Sequence, residues 1–298
     1  MEDKLRFSII IPTYNRKTLL EKCLGALSAQ LKDHRECEVI VVDDSGAKLQ
    51  QAGDSLLNVR YLTLDHRGGP SAARNLGISN SKGEIILFLD DDTLPLPGWF
   101  AATEKAWQAW PDSDGIGGYI ASDEKGNIYS KVEADLFNWL SRESMYGGRC
   151  VYICTCNAGY KKTSLGMIGG FDESFKYICG EDRDINIRLF NKNGILRVDK
   201  NIAVYHDQNA KFSSFIGRYF RYGQAARFLH LKYSSQVRLP SSSYVNLLSS
   251  IPVKYKNKLE MCAVFLLVIF SQALIAFGYF TSLFIRNPFG ELSARKIK

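Results

Sequence analysis

"GEIILFLDDDTLPLPGW", residues Gly83 to Trp99, joins two opposed demands on one short stretch. Its first half is a run of aliphatic and aromatic side chains, which reads as a strand buried on both faces. The run stops abruptly at three carboxylates, Asp90, Asp91 and Asp92. Like charges this close repel, so the cluster needs a cation or fixed donors to hold it. Pro95, Pro97 and Gly98 then turn the chain. A strand that carries acid groups just past its carboxyl end puts them where open α/β sheets bind ligands.

The same pattern repeats on either side. "RFSIIIP" (6–12), "CEVIVVDD" (37–44) and "NVRYLTL" (58–64) are further β-rich runs. Helical spacing over Lys17–Leu31 and a helix opening in "GPSAARNLGIS" (69–79) separate them. Continuous apolar strands alternating with helices predict a parallel sheet covered on both faces. Thr13, Tyr14, Asp43, Asp44 and the aspartate cluster all follow strand ends, so they converge on one edge.

Length and composition bound the rest. A chain of 298 residues, 46% hydrophobic and 23% charged, is long enough for a sizeable core and is not disordered. Charge is segregated: residues 201–298 hold 13 Lys and Arg against 3 Asp and Glu, whereas residues 1–200 hold 25 against 28. The basic tail predicts an anionic partner surface. Seven cysteines include no CxxC pair; they read as core thiols of a reducing compartment, with Cys154 and Cys156 alternating onto one face of a strand. "MEDKLRFSIIIPTYN" has no apolar signal stretch, which predicts that this end stays in the cytoplasm.

Met261 to Ile285 contains no charge. As a helix these residues would extend roughly 37 Å, enough for a bilayer core of about 30 Å. Lys254, Lys256 and Lys258 on one side and Arg286, Arg295, Lys296 and Lys298 on the other leave a full span and a re-entrant anchor both open. Upstream, Lys211, Arg218, Arg221 and Lys232 gather within an arc of about 80° on a helix through Tyr233, a face suited to anionic headgroups. No recognised nucleic-acid motif accompanies these cations, so the expected partner is membrane and not nucleic acid. Ser241–Ser243 after Pro240 reads as a linker. The expected organisation is a catalytic domain at 1–210, a basic amphipathic helical connector at 211–260, a transmembrane or anchor helix at 261–285 and a basic tail at 286–298.

Phosphate and metal chemistry narrows the function. Neither GxGxxG after the first strand nor GxxxxGK[ST] is present. The helix opening at Gly68-Gly69-Pro70, flanked by Arg67 and Arg74, offers backbone N–H groups to an anion. Carboxylates at the neighbouring strand end suit Mg²⁺ or Mn²⁺, which complete their coordination with substrate phosphates. In "GGFDESFKYICGEDRDINIRLF" (169–190), Glu181 and Asp182 open a helix. They serve either as ordinary capping acids or as a general base facing a hydroxyl.

Taken together, "FSIIIPTYNR", "VIVVDDSG", "GGPSAARNLGI", "ILFLDDDTLPLPGWF" and "GGFDESF…GEDRDINIRL" resemble the family 2 glycosyltransferases. The resemblance implies a GT-A fold, the Rossmann-like mixed α/β sheet of nucleotide-diphospho-sugar transferases flanked by helices, with a membrane-associated helical tail. It also implies inverting transfer of a sugar from a nucleoside diphosphate to a glycan or lipid-linked acceptor at the cytoplasmic membrane, with Mn²⁺ or Mg²⁺ as cofactor. By the same resemblance Pro12, Thr13 and Tyr14 border the nucleobase and Asp44 bonds it, with Asp43 in support. Arg16, Gly69, Arg74, Asn75 and Asp91 belong to the nucleotide site. Asp90 and Asp92 form the metal pair, with His206 a further candidate ligand that Asp207 could orient, and Asp182 is the base with Glu181 beside it. Two rivals stay open on the residues alone, a metal-dependent nucleotidyltransferase and a non-catalytic sugar-nucleotide-binding membrane protein.

Overall fold

The computed structural model describes residues 6–32, 34–46, 59–122, 126–146, 149–150, 152–175, 179–206, 210–234 and 239–284. Asp207 and the 286–298 tail lie outside the described residues. The chain divides into two compact units, one running to Ala210 apart from 177–180 and one starting at Lys211.

The first unit is built as β1 (Phe7–Thr13), α1 (Lys17–Leu31), β2 (Cys37–Asp43), β3 (Val59–Thr63), α2 (Pro70–Asn80), β4 (Ile85–Leu89), β5 (Thr93–Pro95), α3 (Trp99–Ala109), β6 (Gly115–Ala121), α4 (Ile128–Glu143), the short pair β7 (Met145–Tyr146) and β8 (Arg149–Cys150), β9 (Asn157–Lys161), α5 (Lys162–Met167), α6 (Glu181–Asn191) and β10 (Leu196–His206). Its main sheet runs β3-β2-β1-β4-β9-β6-β10-β5. Alternate residues of the central strands feed two cores. Ile9, Ile11, Leu87 and Leu89 pack with α1 and α3 on one face, through Leu20, Leu24, Trp99 and Phe100. Ile10, Ile86 and Phe88 pack on the other with Ala73, Phe171, Ile185 and Leu189. This double burial is the reason "EIILFL" shows no polar alternation.

The sheet is mixed, as the family resemblance implies, with its parallel part in the strands read from periodicity. β1, β2, β3 and β4 are parallel, but β9 runs antiparallel to both β4 and β6, and β5 antiparallel to β10. β9 enters the gap between β4 and β6 at the carboxyl edge of β4, where Leu89 pairs with Asn157, and therefore runs backwards. Because β10 is parallel to β6, and β6 shares the sense of β4, His206 emerges on the same edge as Asp90–Asp92. Nothing in "NAGYK" signals that reversal by periodicity.

Two readings are corrected. Cys154 and Cys156 occupy the turn before β9 and not a strand, with their sulfurs 3.2 Å apart; none of the seven cysteines is in a disulfide. Ser241–Ser243 is no linker but the first turn of α8 (Ser241–Lys254), where serine is tolerated once Leu247 and Ile251 supply a buried face. The second unit also contains α7 (Phe212–Tyr233) and α9 (Lys258–Thr281).

Asn157 ties the centre of the first unit together. It accepts the Trp99 indole N–H at 2.9 Å and donates to the carbonyls of Ile202 (2.8 Å) and Tyr119 (3.2 Å). The tryptophan that closes the Gly83–Trp99 stretch is thus an anchor for the loop bearing the aspartates. Replacing Trp99 by Phe removes one donor from a buried acceptor, which costs about 1–3 kcal/mol. The expected result is a lower denaturant midpoint for Trp99→Phe than for the parent chain.

Candidate active site

The three aspartates past β4 have separate partners. Arg74 Nη2 donates to Asp90 Oδ1 at 2.8 Å. Asp91 accepts from Thr13 Oγ1 at 2.7 Å and from Arg16 Nη1 at 3.2 Å, and the same Arg16 nitrogen reaches Asp92 Oδ2 at 3.0 Å. Asp92 Oδ1 lies 3.3 Å from His206 Nε2. Burial, and then the charge of Asp92, push the Asp91 carboxyl up to about 6.

Asp90, Asp92 and His206 each present a ligand atom within 4.8 Å of the others. Two carboxylate oxygens and one imidazole nitrogen suit Mg²⁺ or Mn²⁺, and the donor set fits a divalent cation. The backbone holds it in place: β5 and β10 pair Thr93 with His206, so the histidine sits one residue along from Asp92 across a ladder.

Asp43 and Asp44 follow β2. Asp43 is buried and accepts from the backbone and hydroxyl of Ser45 at 3.0 and 2.6 Å. Both carboxylate oxygens of Asp44 accept backbone N–H groups, from Gly68 at 2.5 Å and Gly69 at 2.9 Å. The expectation that these two amides are open to an anion is therefore corrected: the anion they hold is Asp44. Gly69 adopts φ 85° to turn into α2, a conformation that glycine takes without Cβ strain. Pro12 is partly buried, and the half-exposed Tyr14 has the Arg67 guanidinium 4.3 Å from its ring centroid.

Arg74 and Asn75, adjacent on α2, reach across to the segment leading into α6. The Arg74 side chain is 3% exposed, and its Nη1 donates to Glu181 Oε1 at 2.9 Å while Nη2 holds Asp90. Its guanidinium also stands 5.4 Å from the Phe171 ring centroid. Asn75 takes the Phe171 N–H on Oδ1 and donates to the Phe171 carbonyl and to Glu173. Arg74 and Asn75 therefore brace the protein at these contacts.

Asp182 stands next to Glu181 in the first turn of α6. The Tyr152 hydroxyl donates to its Oδ2 at 2.9 Å, and the Arg183 N–H to its Oδ1 at 2.7 Å. Burial, and then the neighbouring Glu181 charge, push the Asp182 carboxyl up to about 6. Sequence reasoning missed Tyr152. Its signal is slight, a single hydroxyl between Val151 and Ile153 in an apolar run.

With this arrangement established, comparison with known proteins identifies the chain. Residues 8–169 match the sequence profile described as Glycosyl transferase family 2. The chain belongs to that family. Among relatives of this family 2 chain, the pre-mycofactocin glycosyltransferase of Mycobacterium tuberculosis is 26% identical over 234 residues, covering 76% of this chain and 48% of the relative. The GalNAc(5)-diNAcBac-PP-undecaprenol beta-1,3-glucosyltransferase of Campylobacter jejuni is 34% identical over 101 residues, 31% of each chain. The matches thus span from about a third to about half the length of these curated relatives. The solved mannosyltransferase PcManGT from Pyrobaculum calidifontis, in complex with GDP-Man and Mn²⁺, superposes with a TM-score of 0.64 at 15% identity, covering 95% of this chain and 88% of that one. That likeness shows the fold: a mixed sheet flanked by helices, the GT-A arrangement.

Arg74→Lys keeps the charge but loses the planar fork that spans two carboxylates. A displacement of about 1 Å in a catalytic group can cost around 100-fold. Under the sugar-transfer reading proposed below, kcat should fall by about that factor in Arg74→Lys while the dissociation constant for nucleoside diphosphate changes less than about threefold, measured by steady-state kinetics and calorimetry.

Proposed function

We propose that this chain transfers a sugar from a nucleoside-diphosphate donor to an acceptor hydroxyl, with inversion at the anomeric carbon. The observation that carries the reading is the Arg74 bridge. One buried guanidinium links Asp90 of the metal-type cluster with Glu181, the neighbour of Asp182, so both sets of acids belong to one edge of one sheet.

Asp90, Asp92 and His206 would hold a divalent cation, Mn²⁺ or Mg²⁺, which when bound supplies Lewis-acid compensation for charge on a departing diphosphate. Thr13 and Arg16 keep Asp91 and Asp92 in place beside it. Pro12, Tyr14, Asp43 and Asp44 shape the nucleotide end of the edge. Asp182 takes the proton of the acceptor hydroxyl as that oxygen bonds to the anomeric carbon, from the face opposite the leaving group. The Tyr152 hydroxyl and the Arg183 N–H orient the carboxylate for this step, and Glu181, neutralised by Arg74, sets the angle of the α6 start. A leaving diphosphate requires no carboxylic acid to protonate it, in contrast with glycoside hydrolysis.

The acceptor we propose is lipid-linked or a cell-surface glycan, reached from the cytoplasmic face of a membrane. The relative whose name includes a PP-undecaprenol acceptor supports this, as does α9, whose most apolar 18-residue stretch has mean hydropathy 2.3. Seven cysteines without a disulfide agree with a reducing compartment.

The direct test is a panel of nucleotide sugars incubated with the full chain and Mn²⁺, Mg²⁺ or chelator, with the released nucleotide identified. Cation-dependent release of a nucleoside diphosphate is expected; release of pyrophosphate would point to nucleotidyl transfer instead. Asp182→Asn should lower kcat at least 100-fold with donor affinity kept, whereas Asp92→Ala should lose the cation-dependent part of donor binding. The base acts ionised. Since its carboxyl titrates near 6, kcat should be level above that pH and fall about tenfold per unit below it.

A further inference from the structure

Along α9, the residues left uncovered form a single stripe. Leu259, Leu266, Ile269, Phe277, Phe280 and, just beyond the helix, Phe284 are all exposed, and Phe265, Phe270 and Leu283 widen the same face. At about 100° per residue the whole set falls within an arc of about 140°. The opposite side, with Val264, Val268, Ser271 and Gly278, is buried.

That buried side is held by α7 at close quarters. A Cβ on Gly223 would collide with the Ile275 carbonyl, and one on Gly278 with the Phe220 carbonyl. Glycine at both positions permits this backbone approach. Phe212 stacks on Phe270 at 6.1 Å, Phe220 meets Phe277 at 5.7 Å, and His230 Nδ1 lies 2.6 Å from the Tyr279 hydroxyl. These pairs rise together in both helices, so α7 runs beside α9 in the same sense. Phe212, at the start of α7, is level with Phe270, near the middle of α9.

This pairing conflicts with a perpendicular span. Were α9 to cross a bilayer, the first turn of α7 would lie near its midplane, with backbone N–H groups that no preceding turn can satisfy. Arg218 and Arg221 would follow within the hydrocarbon, on the side of α7 turned away from α9, where a charged side chain is penalised heavily. Lying in the plane of one leaflet avoids both costs. Only the stripe then enters, by about 5–10 Å, and α7 stays outside. Exposed Lys254, Lys256 and Lys258 stand at the start of the stripe, placed for anionic headgroups.

We propose that α9 is an in-plane helix whose exposed stripe seats in an anionic lipid leaflet, and that it does not span the membrane. The inference rests on the membrane-held reading above and deepens it. Its test uses the full chain with vesicles of phosphatidylethanolamine and phosphatidylglycerol carrying bromine at defined acyl depths. Leu259→Trp, Ile269→Trp and Phe280→Trp are made separately, and quenching of each added indole reports its depth. Equal shallow depths at all three positions are expected, with at least a tenfold loss of vesicle partitioning in Ile269→Asp. A deep Ile269 position between two shallow ends would establish a span and overturn the inference, leaving the membrane-held reading intact. Failure of the parent chain to partition at all would overturn both. A concentration-dependent dimer that protects the stripe, with no lipid binding, would assign the face to a second copy and overturn the proposal.

Discussion

The buried guanidinium of Arg74 is the constraint on which the site depends. Three aspartates in succession and an acidic helix start cannot share one sheet edge in a protein interior unless their charge is offset. Arg74 does this from α2, with one nitrogen on Asp90 and another on Glu181. Its planar, permanently charged fork can serve two carboxylates at fixed separation, which an ammonium cannot do equally well. Asn75, next along the helix, grips the Phe171 backbone, so the brace is double. Asp90 and Glu181 are each paired to Arg74, while burial pushes the carboxyls of Asp91, which Arg16 reaches, and of Asp182 up to about 6.

Asp44 follows the same logic in a smaller way. Its two oxygens close the turn into α2 by accepting Gly68 and Gly69, which fixes the start of the helix that carries Arg74. An acid at the end of β2 therefore positions a base on α2, and that base positions the acids after β4 and before α6. The site is assembled by side chains that hold one another and by the parallel strands that deliver them to one edge.

Much of this was legible in the sequence because it depends on periodicity and on strand ends. β4 is an uninterrupted apolar run, β1 and β2 are broken near their starts by Ser8 and Glu38, and α1 and α2 show helical spacing, so the alternating architecture and the converging edge could be read directly. The family resemblance added roles that spacing alone cannot assign. What stayed hidden was long-range. The reversal of β9 depends on where the chain re-enters the sheet, and "NAGYK" has no pattern that says so. That Arg74 turns inward to two acids is decided by partners 16 and 107 residues away. Tyr152 looks like core in a run of apolar neighbours. Ser241–Ser243 resembled a linker because composition was weighed there without the buried Leu247 and Ile251 that follow.

The ladder between β5 and β10 has an effect on how this protein can vary. Three pairings, Val204 with Pro95, Tyr205 with Leu94 and His206 with Thr93, set the separation of the histidine from Asp92. Successive strand residues point to opposite faces, so a deletion or insertion of one amino acid in either segment would flip the imidazole away from the carboxylates, even with every side chain unchanged. Surface loops generally tolerate a change in length far better, but here chain length itself decides which face the imidazole takes.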